Sequence, residues 1–166
     1  MKTTRFLAAA AALGAAVTLA TPAAAQSAGQ RCAAVTPAQV EAQFAKFDNA
    51  FASRNPDTVT NLFAPDGVLL ATVSNKPRTT RAEIRDYFVG FLKNSPRGTI
   101  DTSNVRIGCN HATRVGTWTV RLTDPNTGKT SNVRARYSFV YVYRNGQWMI
   151  QHLHSSQMPE VTTTAS

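Results

Sequence analysis

Apolar residues recur at helical spacing in the N-terminal half of the chain. The first stripe consists of residues three or four positions apart: Val40, Phe44, Phe47 and Phe51. It follows a capping box over 36–39 with proline in the first turn, and so predicts a long amphipathic helix. A second capping box over 80–83 precedes a similar stripe, and the Asn-Pro-Asp segment at 55–57 begins a short helix between the two. Three helices are therefore predicted.

The C-terminal half is typical of strands. After residue 98 the chain is rich in β-branched and aromatic residues, and turn residues divide it into four predicted strands: 99–108, 112–123, 131–143 and 147–157. An earlier apolar strand is predicted over 68–73, after a turn at 65–67. Helices followed by a strand meander predict an α+β domain, in which a curved, mainly antiparallel sheet wraps around the first helix.

The two ends of the chain depart from this pattern. Residues 1–25 combine Lys2 and Arg5 with an apolar stretch that closes on three alanines, which is typical of a secretory signal peptide. We therefore expect an exported protein, periplasmic or secreted, with a tail over 26–35, one domain over 36–160 and a disordered tail over 161–166. No later stretch approaches the roughly 18 apolar residues of a membrane helix, so no membrane contact is expected after signal removal.

Basic residues outnumber acidic ones, and the formal net charge is +9. Loss of Lys2 and Arg5 with the signal lowers this charge by two, because the signal contains no acid. The remaining basic residues are scattered rather than clustered, so nucleic acid is not an expected partner. The sequence has no glycine-rich phosphate loop, and no cofactor is expected.

The chain contains two cysteines, Cys32 and Cys109. In an exported protein the simplest interpretation is a disulfide that ties the N-terminal tail to the domain. Such a bond is worth about 4 kcal/mol on the chain-entropy model. The alternative is two free thiols.

Two histidines stand one residue apart in the segment GQWMIQHLHSS. His152 and His154 share one face of a regular strand, because side chains alternate with a period of two. A metal site would need a third ligand, and His111 lies in a predicted turn, so no metal is predicted. The histidines either bond the sheet or a subunit contact, or line a pocket and help to hold an anion, with binding that depends on pH around 6 to 7.

Candidates for a catalytic base are few. Of the nine acids, Asp48 alone borders the core-facing stripe of the first helix, and the others lie in caps, first helical turns, turns, the entry to a strand or the tail, or off the apolar faces. An enzyme site in such a fold needs a desolvated carboxylate, or a histidine with an acid partner. Asp48 and His154 are the candidates, and the alternative for Asp48 is a partly exposed carboxylate at a helix edge.

The C-terminal segment VRLTDPNTGK…RARYSFVYVYRNGQWMIQHLHSSQMPE resembles the association (hub) domain of calcium/calmodulin-dependent protein kinase II and its stand-alone exported bacterial relatives. The matching positions of the last strand are Gly146, Trp148, Ile150, His152, His154, Ser156 and Pro159. The resemblance covers about 36–160 and places the chain in the nuclear transport factor 2-like superfamily with the SnoaL-like proteins. It implies a cone-shaped fold with an internal pocket, and assembly into a homodimer or a larger ring.

The resemblance also implies arginines in the pocket that bind small carboxylates. One family arginine falls on Arg121 in the VRLT motif, whereas a second falls on Phe139 and is not carried over. Arg136 could substitute for it only if a bulge re-aims its side chain. The remaining residues expected to line the pocket are Tyr87, Trp118, His152 and His154.

Three functions remain open from the sequence. The first is an exported homo-oligomeric domain that binds a small polar or anionic organic molecule in a partly cationic pocket. The second is an enzyme of the SnoaL or ketosteroid isomerase kind, an isomerase, cyclase or dehydratase, with Asp48 or His154 as the proton-transfer group and a tyrosine as donor. The third is a structural oligomerisation module whose cone is filled by its own side chains.

Overall fold

The computed structural model describes residues 31–159. The predicted signal peptide over 1–25 and the predicted tail over 161–166 lie outside the described residues, as does the first half of the predicted tail over 26–35. Within the described part of the chain, no helix is both long enough and apolar enough to cross a membrane.

Three helices form in the N-terminal half, where the capping residues and apolar stripes predict them: α1 Pro37–Ala52, α2 Pro56–Thr60 and α3 Arg81–Phe91. A short 3-10 turn, Leu92–Asn94, extends α3. The Thr36 side chain accepts a hydrogen bond from the Gln39 backbone N–H, and the Gln39 side chain accepts one from the Thr36 N–H. The predicted capping box of α1 is therefore confirmed.

Five strands form one sheet: β1 Phe63–Leu70, β2 Arg97–Gly108, β3 His111–Thr123, β4 Thr130–Arg144 and β5 Gln147–Gln157. Their order across the sheet is β1-β5-β4-β3-β2, with β1 parallel to β5 and the other neighbours antiparallel. The prediction of the first strand over 68–73 is wrong in its bounds. Pairing with β5 already begins at Phe63, so residues 65–67 form an irregularity inside the strand instead of a turn before it.

The core lies between α1 and the sheet. Phe47 of α1 packs against Trp118 of β3 and Phe139 of β4, with ring centroids 6.4 and 5.3 Å away. Phe44 contacts the same two rings at 6.0 and 6.4 Å. Aromatic pairs at these distances each add about 0.5–1.5 kcal/mol beyond their burial. The aromatic stripe of α1 thus holds the sheet around the helix, and the predicted cone-shaped α+β fold is confirmed.

The sheet has an inner face, which packs against the helices, and an outer face on its other side. In β3, the side chains of Trp118 and Val120 are buried on the inner face. Arg121 is exposed and lies on the outer face, because successive side chains of a strand point to opposite sides.

The alternation is broken once in β5. Ile150 pairs with Tyr141 of β4, but the next pair joins His152 to Val140, so Gln151 is an extra residue between them. Such a β-bulge reverses the facing of every residue that follows it. Leu153 and Ser155 are consequently buried on the inner face, and both histidines lie on the outer face.

The predicted disulfide between Cys32 and Cys109 is present, with the two Cα atoms 4.7 Å apart. It fastens the segment before α1 to the turn between β2 and β3. Asn110 of the same turn strengthens the junction, since its side chain accepts a hydrogen bond from the Ala33 N–H over 2.7 Å and donates one to the Arg31 carbonyl. The alternative of two free thiols is therefore wrong for this structure.

Candidate functional site

A cavity lies between the inner face of the sheet, α1 and α3. Its wall is mainly aromatic and aliphatic, and includes Phe47, Phe51, Leu69, Phe88, Phe91 and Val133. The space open to the centres of water molecules amounts to about 40 Å³, which is on the order of three waters. Val73, which is 60% exposed, marks the rim where the cavity meets solvent. The cone is thus largely filled by its own side chains and leaves room for a small molecule.

The polar part of this wall includes a hydrogen-bonded pair of hydroxyl groups, those of Thr72 and Ser155. Thr72 Oγ1 donates a hydrogen bond to Ser155 Oγ over 2.6 Å, and the indole Nε1 of Trp118 donates to the same oxygen over 3.0 Å. All three residues line the cavity, and Ser155 is 5% exposed. The bulge in β5 is what brings the Ser155 hydroxyl to the inner face.

Tyr87 of α3 is the titratable side chain among the described residues of the cavity wall. Its ring stacks on Phe91 at 5.4 Å, and the guanidinium of Arg78 lies 5.3 Å from the ring centroid. Burial raises the pKa of Tyr87 to about 12, against a smaller lowering by the charge of Arg78. The hydroxyl therefore keeps its proton at neutral pH and can donate a hydrogen bond.

Two of the predicted pocket residues, Tyr87 and Trp118, lie in the cavity wall. The other four lie outside the cavity, on the outer face of the sheet: Arg121, Arg136, His152 and His154. The expectation of a cationic cavity is therefore not met by the described lining residues, which carry no arginine, lysine or histidine. That these four residues take part in binding stays a prediction, but their binding site would lie on the outer face of the sheet and not in the cavity.

Arg121 lies in an open groove with Arg97, Thr119 and Asn132. Arg97 and Arg121 are cross-strand partners, so their charges are neighbours. Arg97 is neutralised by Asp48, with 2.6 Å between Nη2 and Oδ2. The side chain of Arg121 makes no hydrogen bond or ion pair with another residue of the 31–159 region. An anion could bind to its guanidinium, which is a strong donor to carboxylates.

Arg136 does not turn toward the cavity. It lies in the regular part of β4, where its cross-strand partners are Thr117 and Ser156. Its Nη2 donates to the Gln157 carbonyl over 3.3 Å. The extra residue of the bulge belongs to β5, so β4 keeps its regular alternation and the bulge does not change the facing of Arg136.

His152 and His154 lie side by side on the outer face, with ring centroids 6.5 Å apart. Partial burial, and to a smaller extent the neighbouring His154, lowers the pKa of His152. Within residues 31–159, no group of three or more His, Cys, Asp or Glu side chains comes close enough together to hold a metal ion. Because both rings lie on the outer face, the pair would contact a molecule that binds to that side of the sheet.

Asp48 lies at the edge of α1 and is already engaged. Its side chain is 13% exposed, and its oxygens accept hydrogen bonds from Arg97 and, over 2.7 Å, from the backbone N–H of Gly98. It is not a lining residue of the cavity. These contacts tie α1 to the start of β2, and they support a structural role for Asp48.

A second polar cluster lies under α1 and was not predicted from the sequence. Arg114 of β3 is 6% exposed, and it donates over 2.9 Å both to Ser103 Oγ and to the Glu41 backbone carbonyl. The hydroxyl of Tyr141, a residue 2% exposed, has no hydrogen-bond partner in the described structure. Burial raises the pKa of Tyr141, and the charge of Arg114 opposes this rise only partly.

The sequence interpretation also missed Ser155 and Thr72. For Arg121, in contrast, the sequence contained a signal against a place in the cavity. Trp118 and Arg121 are three positions apart, and a regular strand cannot point both side chains into one pocket. No residue pattern in the sequence predicts the bulge at Gln151, and the facing of Ser155 depends on this bulge.

Comparison with known proteins agrees with this architecture. Residues 37–159 match the family described as the calcium/calmodulin-dependent protein kinase II association domain. A solved structure of this kind from Xanthomonas campestris is 46% identical, covers 79% of this chain and 96% of its own, and superposes with a TM-score of 0.73. No curated protein matches the chain.

More distant structures share the fold alone. A nuclear transport factor 2-like superfamily protein from Salmonella enterica is 14% identical, over 78% of this chain and 95% of its own, with a TM-score of 0.66. A protein of that family from Streptomyces avermitilis, assigned as a dehydratase, is 13% identical, over 74% and 97%, with a TM-score of 0.67. The family match over 37–159 and the 46% identical structure show that the chain belongs to the calcium/calmodulin-dependent protein kinase II association domain family, and the more distant structures show that it has the nuclear transport factor 2-like fold.

Proposed function

We propose that this chain is an exported, self-associating domain that binds a small organic molecule in the cavity of its cone. Export is supported by the signal-like residues 1–25 and by the Cys32–Cys109 disulfide, since such bonds persist in oxidising compartments. Self-association is supported by the family, which is named for association.

The observation that carries ligand binding is the cavity itself. It combines an apolar wall with the hydroxyl groups of Ser155 and Tyr87, and it meets solvent at Val73. Concave apolar sites with a few placed polar groups are the usual form of small-molecule sites. A cone that served only as a scaffold would have no need for space next to these hydroxyls.

A thermal-shift screen with a cavity-filling variant tests this function. The mature protein is screened against small neutral and anionic aromatic molecules, because a ligand at about 100 times its Kd adds about 2.7 kcal/mol to stability. In Val133→Trp the indole occupies the cavity, and the stabilisation should disappear. The matched control is Ser131→Trp, an exposed position of the same strand outside the wall, which should keep the stabilisation. Stabilisation that survives Val133→Trp would place the binding elsewhere.

The groove at Arg121 is a second place for a ligand, and it is the one that suits an anion. The unpaired guanidinium of Arg121 next to Arg97 supports this alternative. The Arg121→Ala variant should then lose the stabilisation by carboxylates and keep the stabilisation by neutral ligands. Carboxylate binding that is equal in the parent and in Arg121→Ala removes this alternative.

Self-association has its own candidate surface on the outer face of the sheet. The middle of this face carries aliphatic and small polar side chains: Val115, Ser138, Val140, Val142 and Thr113. Val115 is 41% exposed, and no described helix covers this side. We take a second copy of the chain as the occupant, because a stable dimer buries about 800 Å² on each partner and the face offers a continuous surface over three long strands.

A charge placed on this surface tests the dimer contact. Val115→Lys would bury an ammonium group in the contact, so the mass measured by light scattering should fall toward that of the monomer. Val89 on α3 is also 41% exposed but lies away from the outer face, and Val89→Lys is the matched control. An unchanged mass in Val115→Lys excludes this part of the outer face as the contact.

A further inference from the structure

In the pair of hydroxyls in the cavity wall, those of Thr72 and Ser155, one proton has no hydrogen-bond acceptor within the described residues. An indole N–H can only donate, so Ser155 Oγ is the acceptor of the bond from Trp118. One more proton lies between Thr72 and Ser155, and it comes from Thr72. The proton of Ser155 is then left over, and no described residue accepts it.

The surroundings of Ser155 direct this proton toward the cavity. Ser155 is 5% exposed and lines the wall together with both of its donors. Its oxygen is occupied by two incoming hydrogen bonds, so the hydroxyl hydrogen must lie away from Trp118 and Thr72. A buried hydroxyl without an acceptor is unfavourable by itself, and an acceptor atom in the cavity would relieve this.

The rest of the wall limits the charge of a ligand. Tyr87 adds a third hydroxyl, which makes no hydrogen bond within residues 31–159 and keeps its proton at neutral pH. The guanidinium of Arg78 lies over the tyrosine ring, 5.3 Å from its centroid, and Arg78 is not part of the wall. An anion in the cavity would therefore be desolvated without a positive partner, which is strongly unfavourable.

We propose that the cavity binds a neutral, mainly apolar molecule that carries one hydrogen-bond acceptor, such as a carbonyl oxygen, held by the hydroxyl of Ser155. This rests on the proposed binding in the cavity and adds the ligand class. It differs from a purely apolar site, which would be indifferent to an acceptor, and from a carboxylate site.

Three ring compounds of nearly equal shape separate these possibilities. Acetophenone carries a carbonyl oxygen, α-methylstyrene replaces that oxygen by a methylene group, and benzoate replaces the methyl ketone by a carboxylate. Binding to the mature protein is measured by ligand-observed NMR, with the carbonyl stretching frequency of bound acetophenone as a second readout. Acetophenone should bind about three- to tenfold more tightly than α-methylstyrene, as one neutral hydrogen bond would give, and more tightly than benzoate. Its carbonyl frequency should lie below the value in an alkane solvent.

Variants of the hydroxyl pair assign the donor. Ser155→Ala should reduce the preference for acetophenone over α-methylstyrene to less than about twofold and shift the carbonyl frequency back. Thr72→Val should keep both, because Ser155 retains its own proton and its bond from Trp118. Ser156→Ala is the matched control, since this neighbour lies on the outer face and should change nothing.

Each outcome either supports or overturns the assignment of Ser155 as the donor. A preference that is abolished in Ser155→Ala and kept in Thr72→Val supports the assignment. Equal binding of α-methylstyrene, tighter binding of benzoate, or a preference that survives Ser155→Ala overturns it while leaving a ligand site in place. Failure of all three compounds to bind, with stability by circular dichroism unchanged, overturns the inference, and it counts against the proposed cavity function only if the wider screen also finds no ligand.

Discussion

The hydroxyl of Tyr141 makes a direct test of the packing under α1. It is buried on β4 beside Arg114 and has no hydrogen-bond partner in the described structure. Tyr141→Phe removes this oxygen and leaves the ring, which stacks on Phe139 with centroids 5.6 Å apart. We expect the variant to be more stable than the parent.

The magnitude follows from two opposing terms. A buried hydroxyl without a partner is unfavourable by about 1–3 kcal/mol. Removal of the oxygen also loses a few dispersion contacts of about 0.1–0.2 kcal/mol each. The net expectation is a gain of about 1 kcal/mol in the free energy of unfolding.

Tyr137 provides the matched control on the same strand and face. Its hydroxyl donates to the Thr102 backbone carbonyl over 2.9 Å. Tyr137→Phe makes the same chemical change but breaks a hydrogen bond, and should lower the free energy of unfolding by about 1 kcal/mol. The two variants should thus differ by about 2 kcal/mol in urea unfolding with unchanged m-values, measured with the disulfide intact.

The dependence on alkaline pH is a second readout. Burial raises the folded-state pKa of Tyr141 above the ordinary value of 10.0, so above pH 10 the unfolded chain loses this proton more readily than the folded state, and the free energy of unfolding declines as the pH rises further. Tyr141→Phe should reduce this decline. A loss of stability in Tyr141→Phe as large as that in Tyr137→Phe would refute the reasoning, because it would mean that the hydroxyl has a partner.

Three further predictions concern the disulfide and two carboxylates. Replacement of Cys32 and Cys109 by serine should lower the free energy of unfolding by about 4 kcal/mol for the loop of 77 residues, measured by urea unfolding; a loss below about 1 kcal/mol would contradict the loop argument. Hydrogen bonds from the Thr79 backbone, and then from Lys76, hold the pKa of Glu83 at about 2, below its ordinary value of 4.5, so this carboxylate stabilises the fold above pH 4.5 and loses that effect as the pH falls toward 2. Glu83→Gln should flatten the acid side of a Tm-against-pH curve, and an unaltered curve would show that Glu83 has no part in it. Asp48→Asn should lower stability by about 1 kcal/mol, because the ion pair to β2 is lost, yet leave ligand affinity unchanged; a large loss of affinity measured by calorimetry would restore Asp48 as a candidate for the site.

The fold could be predicted because its signals are local and agree with one another. Capping boxes, aromatic spacing and hairpin residues define the helices and the four long strands without knowledge of their partners. The exception is β1, where the Pro-Asp-Gly segment at 65–67 is a strong turn signal. Pairing with β5 overrides that signal, because the parallel partner supplies hydrogen bonds on both sides of the irregular residues.

The site could be predicted only in part, because facing depends on tertiary register. Tyr87 and Trp118 lie in the cavity, as expected from their positions on apolar faces. Ile150 is buried, and a regular strand would have carried His152 and His154 inward with it. The extra residue Gln151 sends them outward, and its presence follows from the pairing with β4 instead of from any local pattern.

The bulge at Gln151 also implies that the chemistry of this cavity depends on strand pairing as much as on the identity of the side chains. A strand of the same sequence that paired with β4 without the bulge would carry His152 and His154 inward and Ser155 outward. A neutral, donor-bearing wall would become one with two imidazoles, with no change in the amino acids of the strand. Deletion of Gln151 would instead leave these residues on their present faces, because His152 would then follow Ile150 directly in a regular strand. Two chains that agree letter by letter in this strand can therefore differ in ligand class if one of them has the bulge and the other does not.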